Sequence, residues 1–141
     1  MFLPNECRVC GKIRLPKSQY DYAIFKSPIL LIAELKSTAQ KSISFDEKII
    51  KENQIKSLDK FNEYPYVIAG FIMNFRAYDN KTYFVGIDDF IKYKKESGRK
   101  SIPLDYCKEI GIEIQNKIKK VNHKYDLDDM FTNIYHKYYT N

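Results

Sequence analysis

Two kinds of apolar spacing follow one another along this chain, and the changes between them mark out its elements. Tyr20 to Phe25 and Ile29 to Lys36 are short β-rich stretches parted by Lys26-Ser27-Pro28, which predicts a hairpin. Ile49, Ile50, Leu58 and Phe61 then recur at helical spacing, predicting an amphipathic helix from Asp46 to about Asn62 with Ser44 or Asp46 as its N-cap. Tyr66 to Phe75 is a long apolar run that reads as a central strand, and Thr82 to Ile87 reads as its hairpin partner across the turn Tyr78-Asp79-Asn80-Lys81. Asp88 or Asp89 is the expected cap of a helix that Gly98 ends. Ser101-Ile102-Pro103 is expected to open another helix closed by Gly111, and Met130, Ile134 and Tyr138 at spacing four predict a last helix over 127–139. Strand, strand, helix, strand, strand, then helices is the order of an α/β fold: a mixed β-sheet flanked by helices, with strand ends open to a ligand.

The first hairpin carries chemistry. Antiparallel pairing about a turn between Ser27 and Pro28 sets Asp21 opposite Glu34, and the strand period of two puts Leu30, Ile32, Glu34 and Lys36 on one face. Two carboxylates and an ammonium therefore meet where that face turns from apolar to charged. Like charges opposite one another destabilise a strand pair, so a divalent cation between Asp21 and Glu34 explains them more easily than repulsion does. The plain alternative is a hairpin whose Glu34 and Lys36 are solvated at a sheet rim. On the predicted helix, Gln54 lies four residues from both Ile50 and Leu58, within the stripe that faces the sheet, where its amide needs a partner.

At 141 residues and 44% apolar content the chain is expected to form one domain with a moderate core, and 15% aromatic residues against five glycines and five prolines argue for order. No apolar run approaches the ~18 residues that cross a bilayer, and no signal peptide opens the chain, so a cytoplasmic protein with no membrane partner is expected. The net charge of +6 comes from 24 basic and 18 acidic residues. The basic ones cluster at Lys92, Lys94, Lys95, Arg99, Lys100, Lys117, Lys119, Lys120 and Lys124, a surface suited either to a phosphate backbone or simply to solvation.

Several stretches together resemble one family, the RecU-type Holliday junction resolvases of the PD-(D/E)xK nuclease superfamily. Asp21 and Glu34-Leu35-Lys36 have the family's spacing, Ser37-Thr38 and Ser44-Phe45 look like its following segment, Glu52-Asn53-Gln54-Ile55 is similar to its His-Gln-Ile, and Gly98-Arg99-Lys100-Ser101-Ile102 looks like its Gly-Arg-Lys-Ser-Ile. The chain departs in having only twenty residues before Asp21 and no evident stalk insertion, and Tyr20 stands where the family often has Thr. The resemblance implies a restriction-endonuclease-like core over 20–111, after an irregular leader over 1–19 and before a basic C-terminal segment and helix over 112–141. It implies Mg²⁺ or Mn²⁺ held by Asp21, Glu34 and the Leu35 backbone carbonyl, with Lys36 orienting the nucleophile or stabilising charge, and Gln54 holding a site group or the attacking water. It further implies that Arg99, Lys100 and Ser101, with Lys94 and Lys95, contact DNA. The expected function is metal-dependent resolution of Holliday junctions or related branched intermediates in recombination and repair, by a homodimer. A restriction-like or repair nuclease, or a non-catalytic DNA-binding accessory protein, is the alternative.

Cys7 and Cys10 have the spacing of half a zinc knuckle, for which only Cys107, His123 and His136 remain as further soft ligands. The alternative is a pair of free thiols, the usual state in a reducing compartment.

Overall fold

The computed structural model describes residues 19–119 and 122–140. Strands β1 (Tyr22–Lys26) and β2 (Ile29–Thr38) form the expected hairpin, with Tyr22 paired to Ala33 and Lys26 to Ile29. β2 is an inner strand of the sheet, and its run Ile29-Leu30-Leu31-Ile32-Ala33 is apolar at successive positions because both sheet faces are covered there. Its other neighbour is β4 (Val67–Phe75), parallel to it from Leu30↔Val67 to Thr38↔Phe75. A parallel pair needs a crossover, and helix α1 (Glu52–Phe61) supplies it. β5 (Lys81–Gly86) returns antiparallel through a tight turn, where Asp79 and Asn80 have φ of 52° and 50° and the Lys81 N–H donates to the Tyr78 carbonyl at 3.0 Å. Positive φ at both central residues matches the sense of turn that suits strand twist. A short β7 (Ile112–Glu113) completes a five-stranded mixed sheet in the order β1-β2-β4-β5-β7.

Alternation along the strands divides the interior in two. Ile32, Phe71, Met73, Phe75, Tyr83 and Val85 pack beneath α1, α2 (Ile87–Glu96) and α3 (Leu104–Ile110). Leu31, Ile68 and Phe84 pack on the opposite face beneath Met130, Phe131 and Ile134 of α4 (Leu127–Tyr139). The result is a mixed sheet flanked by helices, a restriction-endonuclease-like α/β core. None of the helices described is long and apolar enough to cross a membrane.

Gly70 marks the tightest point of the sheet. A Cβ there would stand 2.3 Å from the Val85 carbonyl oxygen and 2.9 Å from Gly86 Cα, both of them backbone atoms that cannot turn aside. Gly70→Ala is expected to cost about 2 kcal/mol, lowering Tm by roughly 5–10 °C. A melting curve superimposable on the parent's would refute the close approach of β4 and β5 at that point.

Several boundaries differ from expectation. α1 starts at Glu52 after Lys51, not at Ser44 or Asp46. The Asp46 carbonyl receives the Ile49 and Ile50 N–H groups and its carboxylate receives that of Lys48, making an isolated turn that buries Ile50 and does not propagate. Gly86, not Asp88 or Asp89, caps α2, and both acids sit in its first turn, where they complement the helix dipole. Ser101-Ile102-Pro103 forms a strand, β6, paired antiparallel with β3 (Ser42–Ser44), and the expected helix, α3, begins after it at Leu104 with Pro103 as its N-cap. Gly98, at φ 64°, does end the preceding segment, and Gly111 closes α3. Unexpected altogether is a second ribbon, β8 (Asn116–Lys119) with β9 (Asn122–Tyr125).

Candidate functional site

The register that pairs Tyr22 with Ala33 continues one step to set Asp21 against Glu34, and the Asp21 N–H donates to the Ala33 carbonyl at 3.2 Å. β1 begins just after this point, and among the described residues no other strand pairs with that edge of β2 beyond it. Asp21 Oδ2 accepts the Leu35 N–H at 2.8 Å, so the carboxylate lies along that edge. The N–H and C=O of a strand residue point to the same side, so the Leu35 carbonyl is directed to the same edge as Asp21. Glu34 and Lys36 rise from the face that carries α1. Gln54, in the first turn of that helix, joins them: its Nε2 donates to Glu34 Oε1 at 2.6 Å, and its Oε1 accepts from Lys36 Nζ at 2.9 Å. The same oxygen accepts the Lys51 N–H at 3.1 Å, so the residue that bridges the acid and the base also caps its own helix. The polar amide on a buried stripe thus has its partners, and the structure spends both ends of it on holding Glu34 and Lys36.

Electrostatics sharpen the picture. Glu34 is 7% exposed, and burial first, then the facing charge of Asp21, push its carboxyl pKa up. Lys36, with its Nζ 3.8 Å from Glu34 Oε1, pulls the other way without cancelling them. Negative charge is therefore in excess and partly desolvated. Carboxylate and carbonyl oxygens at such a point are donors that suit a hard divalent cation, so the residues fit Mg²⁺ or Mn²⁺. Among the described residues no cluster of three or more His, Cys, Asp or Glu side chains gathers. Water and substrate oxygens would complete the coordination, as Mg²⁺ commonly requires.

The basic residues divide into two groups. Arg99 and Lys100 are exposed on the loop after Gly98, and the Lys100 carbonyl accepts the Phe45 N–H at 2.9 Å, tying that loop to the segment that leads into α1. Ser101 opens β6 opposite Ser44 and is half-buried, with its carbonyl near Tyr93 Oη. Lys95 is exposed, whereas Lys94 pairs with Glu52 at 3.3 Å and so bridges α2 to the start of α1. Cys7 and Cys10 lie outside the described residues. Cys107 is buried in the core, and desolvation pushes its thiol up to about 12.

A polar chain that sequence reasoning misses starts beside the site. Arg76 donates to Ser37 Oγ at 3.2 Å, Ser37 Oγ donates to Asn74 Oδ1 at 2.8 Å, and Asn74 Nδ2 donates to Asn80 Oδ1 at 2.8 Å. Asn80 is 8% exposed, and its Nδ2 donates to Asn116 Oδ1 and to Tyr125 Oη, at 3.1 and 2.9 Å. The parallel register Ser37↔Asn74 builds the first half of this chain. The only hint in the sequence is a polar Asn interrupting the run at position 74.

Comparison with known proteins gives a consistent assignment. The family model for RecU, recombination protein U, matches residues 12–126. The chain is also similar to an SPbeta prophage-derived uncharacterized protein, YotM, of Bacillus subtilis (strain 168), at 44% identity over 126 residues. That match covers 81% of this chain and 65% of the relative.

Proposed function

This chain belongs to the RecU, or recombination protein U, family, and from that premise we propose that it is a metal-dependent endodeoxyribonuclease resolving Holliday junctions or related branched DNA. The observation that supports this best is the convergence of Asp21, Glu34 and Lys36 at one strand end, with Gln54 bridging the acid and the amine. A bound Mg²⁺ or Mn²⁺ would polarise the scissile phosphate and lower the pKa of coordinated water. Asp21, Glu34 and the Leu35 carbonyl would hold the ion. Lys36, kept at the rim by Gln54, presents an ammonium to the attacking oxygen or to the charge that builds on the phosphoryl oxygens. Gln54 is a positioning residue, because its amide fixes the two reacting side chains. Arg99, Lys100 and Lys95 would meet phosphates along the α1 side, with Ser101 adding a hydrogen bond. Two cuts in a four-way junction need two sites, so the 141-residue chain would act as one nuclease domain within a homodimer.

Cleavage of a labelled four-way junction, beside linear duplex and single-stranded controls, in Mg²⁺ and in EDTA, tests the reading. Paired symmetric nicks near the branch, dependent on metal and absent from the controls, are expected. Metal-dependent cutting of every substrate would replace the junction claim by a restriction-like or repair nuclease. Tight binding without cutting in Mg²⁺ or Mn²⁺ would replace it by a DNA-binding accessory protein.

A further inference from the structure

The β8–β9 ribbon carries a charge arrangement that its own folding does not explain. Lys117 and Lys124 are direct partners across the two strands. Like charges so placed repel, because their Cβ atoms are about 5 Å apart. The sequence from Asn116 to Tyr125 contains no acidic residue, and neither lysine has a carboxylate partner among the described residues. The two lysines share a cleft of about 600 Å³ with Asp126 and Asp128, but those acids are engaged. Asp126 caps α4 by accepting the Asp129 N–H at 2.9 Å, and Asp128 pairs with Lys26.

The ribbon is also anchored rather than loose. Asn116, His123 and Tyr125 share one face, and Asn116 and Tyr125 are fastened to the buried Asn80 while His123 Nδ1 lies 2.9 Å from Asn116 Oδ1. Strand alternation then sends Lys117 and Lys124 to the other, exposed face. Two cations held out on a fixed ribbon are preorganised for an anion.

Position says which anion. Tyr125, at the ribbon's end, lines a groove of about 490 Å³ together with Tyr22 and Leu35, and Leu35 separates Glu34 from Lys36 in β2. Arg76, exposed and without a carboxylate partner among the described residues, stands between on the same polar chain.

We infer that the β8–β9 ribbon is a second grip on the phosphate backbone, with Lys117 and Lys124 holding DNA that continues past the Asp21, Glu34 and Lys36 site along the α4 side of the sheet, and Arg76 contacting it on the way. This rests on the nuclease reading for its choice of DNA, while its test does not depend on cleavage. Affinity of the full chain for a labelled duplex and a four-way junction is measured by anisotropy in EDTA across a salt series. Lys117→Gln/Lys124→Gln is expected to reduce the slope of log K against log salt by about 2 and to weaken binding roughly 10- to 100-fold near ~100 mM salt. Its Tm should equal or exceed the parent's, since repulsion is relieved. Lys60→Gln/Lys108→Gln, the same charge change on exposed helix ends, should leave the slope within about 0.5 of the parent's. An unchanged slope in the ribbon variant, or an equal loss in the control, overturns the inference. A parent that cuts DNA while the ribbon variant keeps its slope sinks the ribbon alone. A parent that never cuts while the slope falls sinks the nuclease reading alone.

Discussion

Asp21→Asn is expected to slow cleavage of a four-way junction by at least about 10³-fold, with affinity for the same junction in EDTA staying within about threefold of the parent's. The geometry separates these effects. Asp21 accepts the Leu35 N–H through Oδ2, and an amide oxygen can take that bond over, so the strand edge and the hairpin register persist. What disappears is one carboxylate oxygen, the one that the proposed mechanism gives to the metal. Single-turnover cleavage and anisotropy on the same preparation check both halves. A variant that cuts as fast as the parent would remove Asp21 from the site, and one that loses binding and cutting together would make its role structural.

Glu34→Gln is expected to abolish cutting and, in the absence of metal, to make the protein more stable. Burial and the Asp21 charge raise the folded-state pKa of Glu34 above its unfolded value. The folded chain therefore holds that proton more tightly, and the stability this gives is full below the unfolded pKa and is lost as pH rises through the folded one. A glutamine carries no such loss, so in EDTA at pH 7.5 its Tm should exceed the parent's, and the gap should narrow as pH falls below the ordinary carboxylate range. Adding Mn²⁺ should raise the parent's Tm and not the variant's. The parent's metal affinity should climb with pH over the same window, since binding displaces the proton. A variant less stable than the parent at pH 7.5 in EDTA would show that Glu34 holds the fold together more than it strains it.

The acidic pair is legible in the sequence because the short Ser27-Pro28 turn fixes a register, and one residue of slip would carry Leu31 and Ile32 to the wrong faces. Gln54 is legible for a related reason: an amide on an apolar stripe demands a partner. The start of α1 is not, because its cap comes from within. Gln54 reaches back to the Lys51 N–H while held by Glu34 and Lys36, so the boundary is set by tertiary contacts rather than by Ser44 or Asp46. Pro103 does stand at the N-cap of α3, as its character suggests, but Ser101 and Ile102 mislead, because Ile43 and Ile102 pair across some sixty residues, a partnership with no local signature. In β8 and β9 the alternation is masked by lysines and asparagines, which line an open cleft on one side and meet Asn80 on the other.

Glu34, Lys36, Asp21 and Gln54 all come from one contiguous stretch, residues 21–54, while Arg76, Arg99 and the ribbon lie outside it. On the proposed roles, reaction and grip are thus encoded in separable stretches of the sequence. On those roles, change downstream of position 75 would alter the grip on DNA and leave Asp21, Glu34, Lys36 and Gln54 in place.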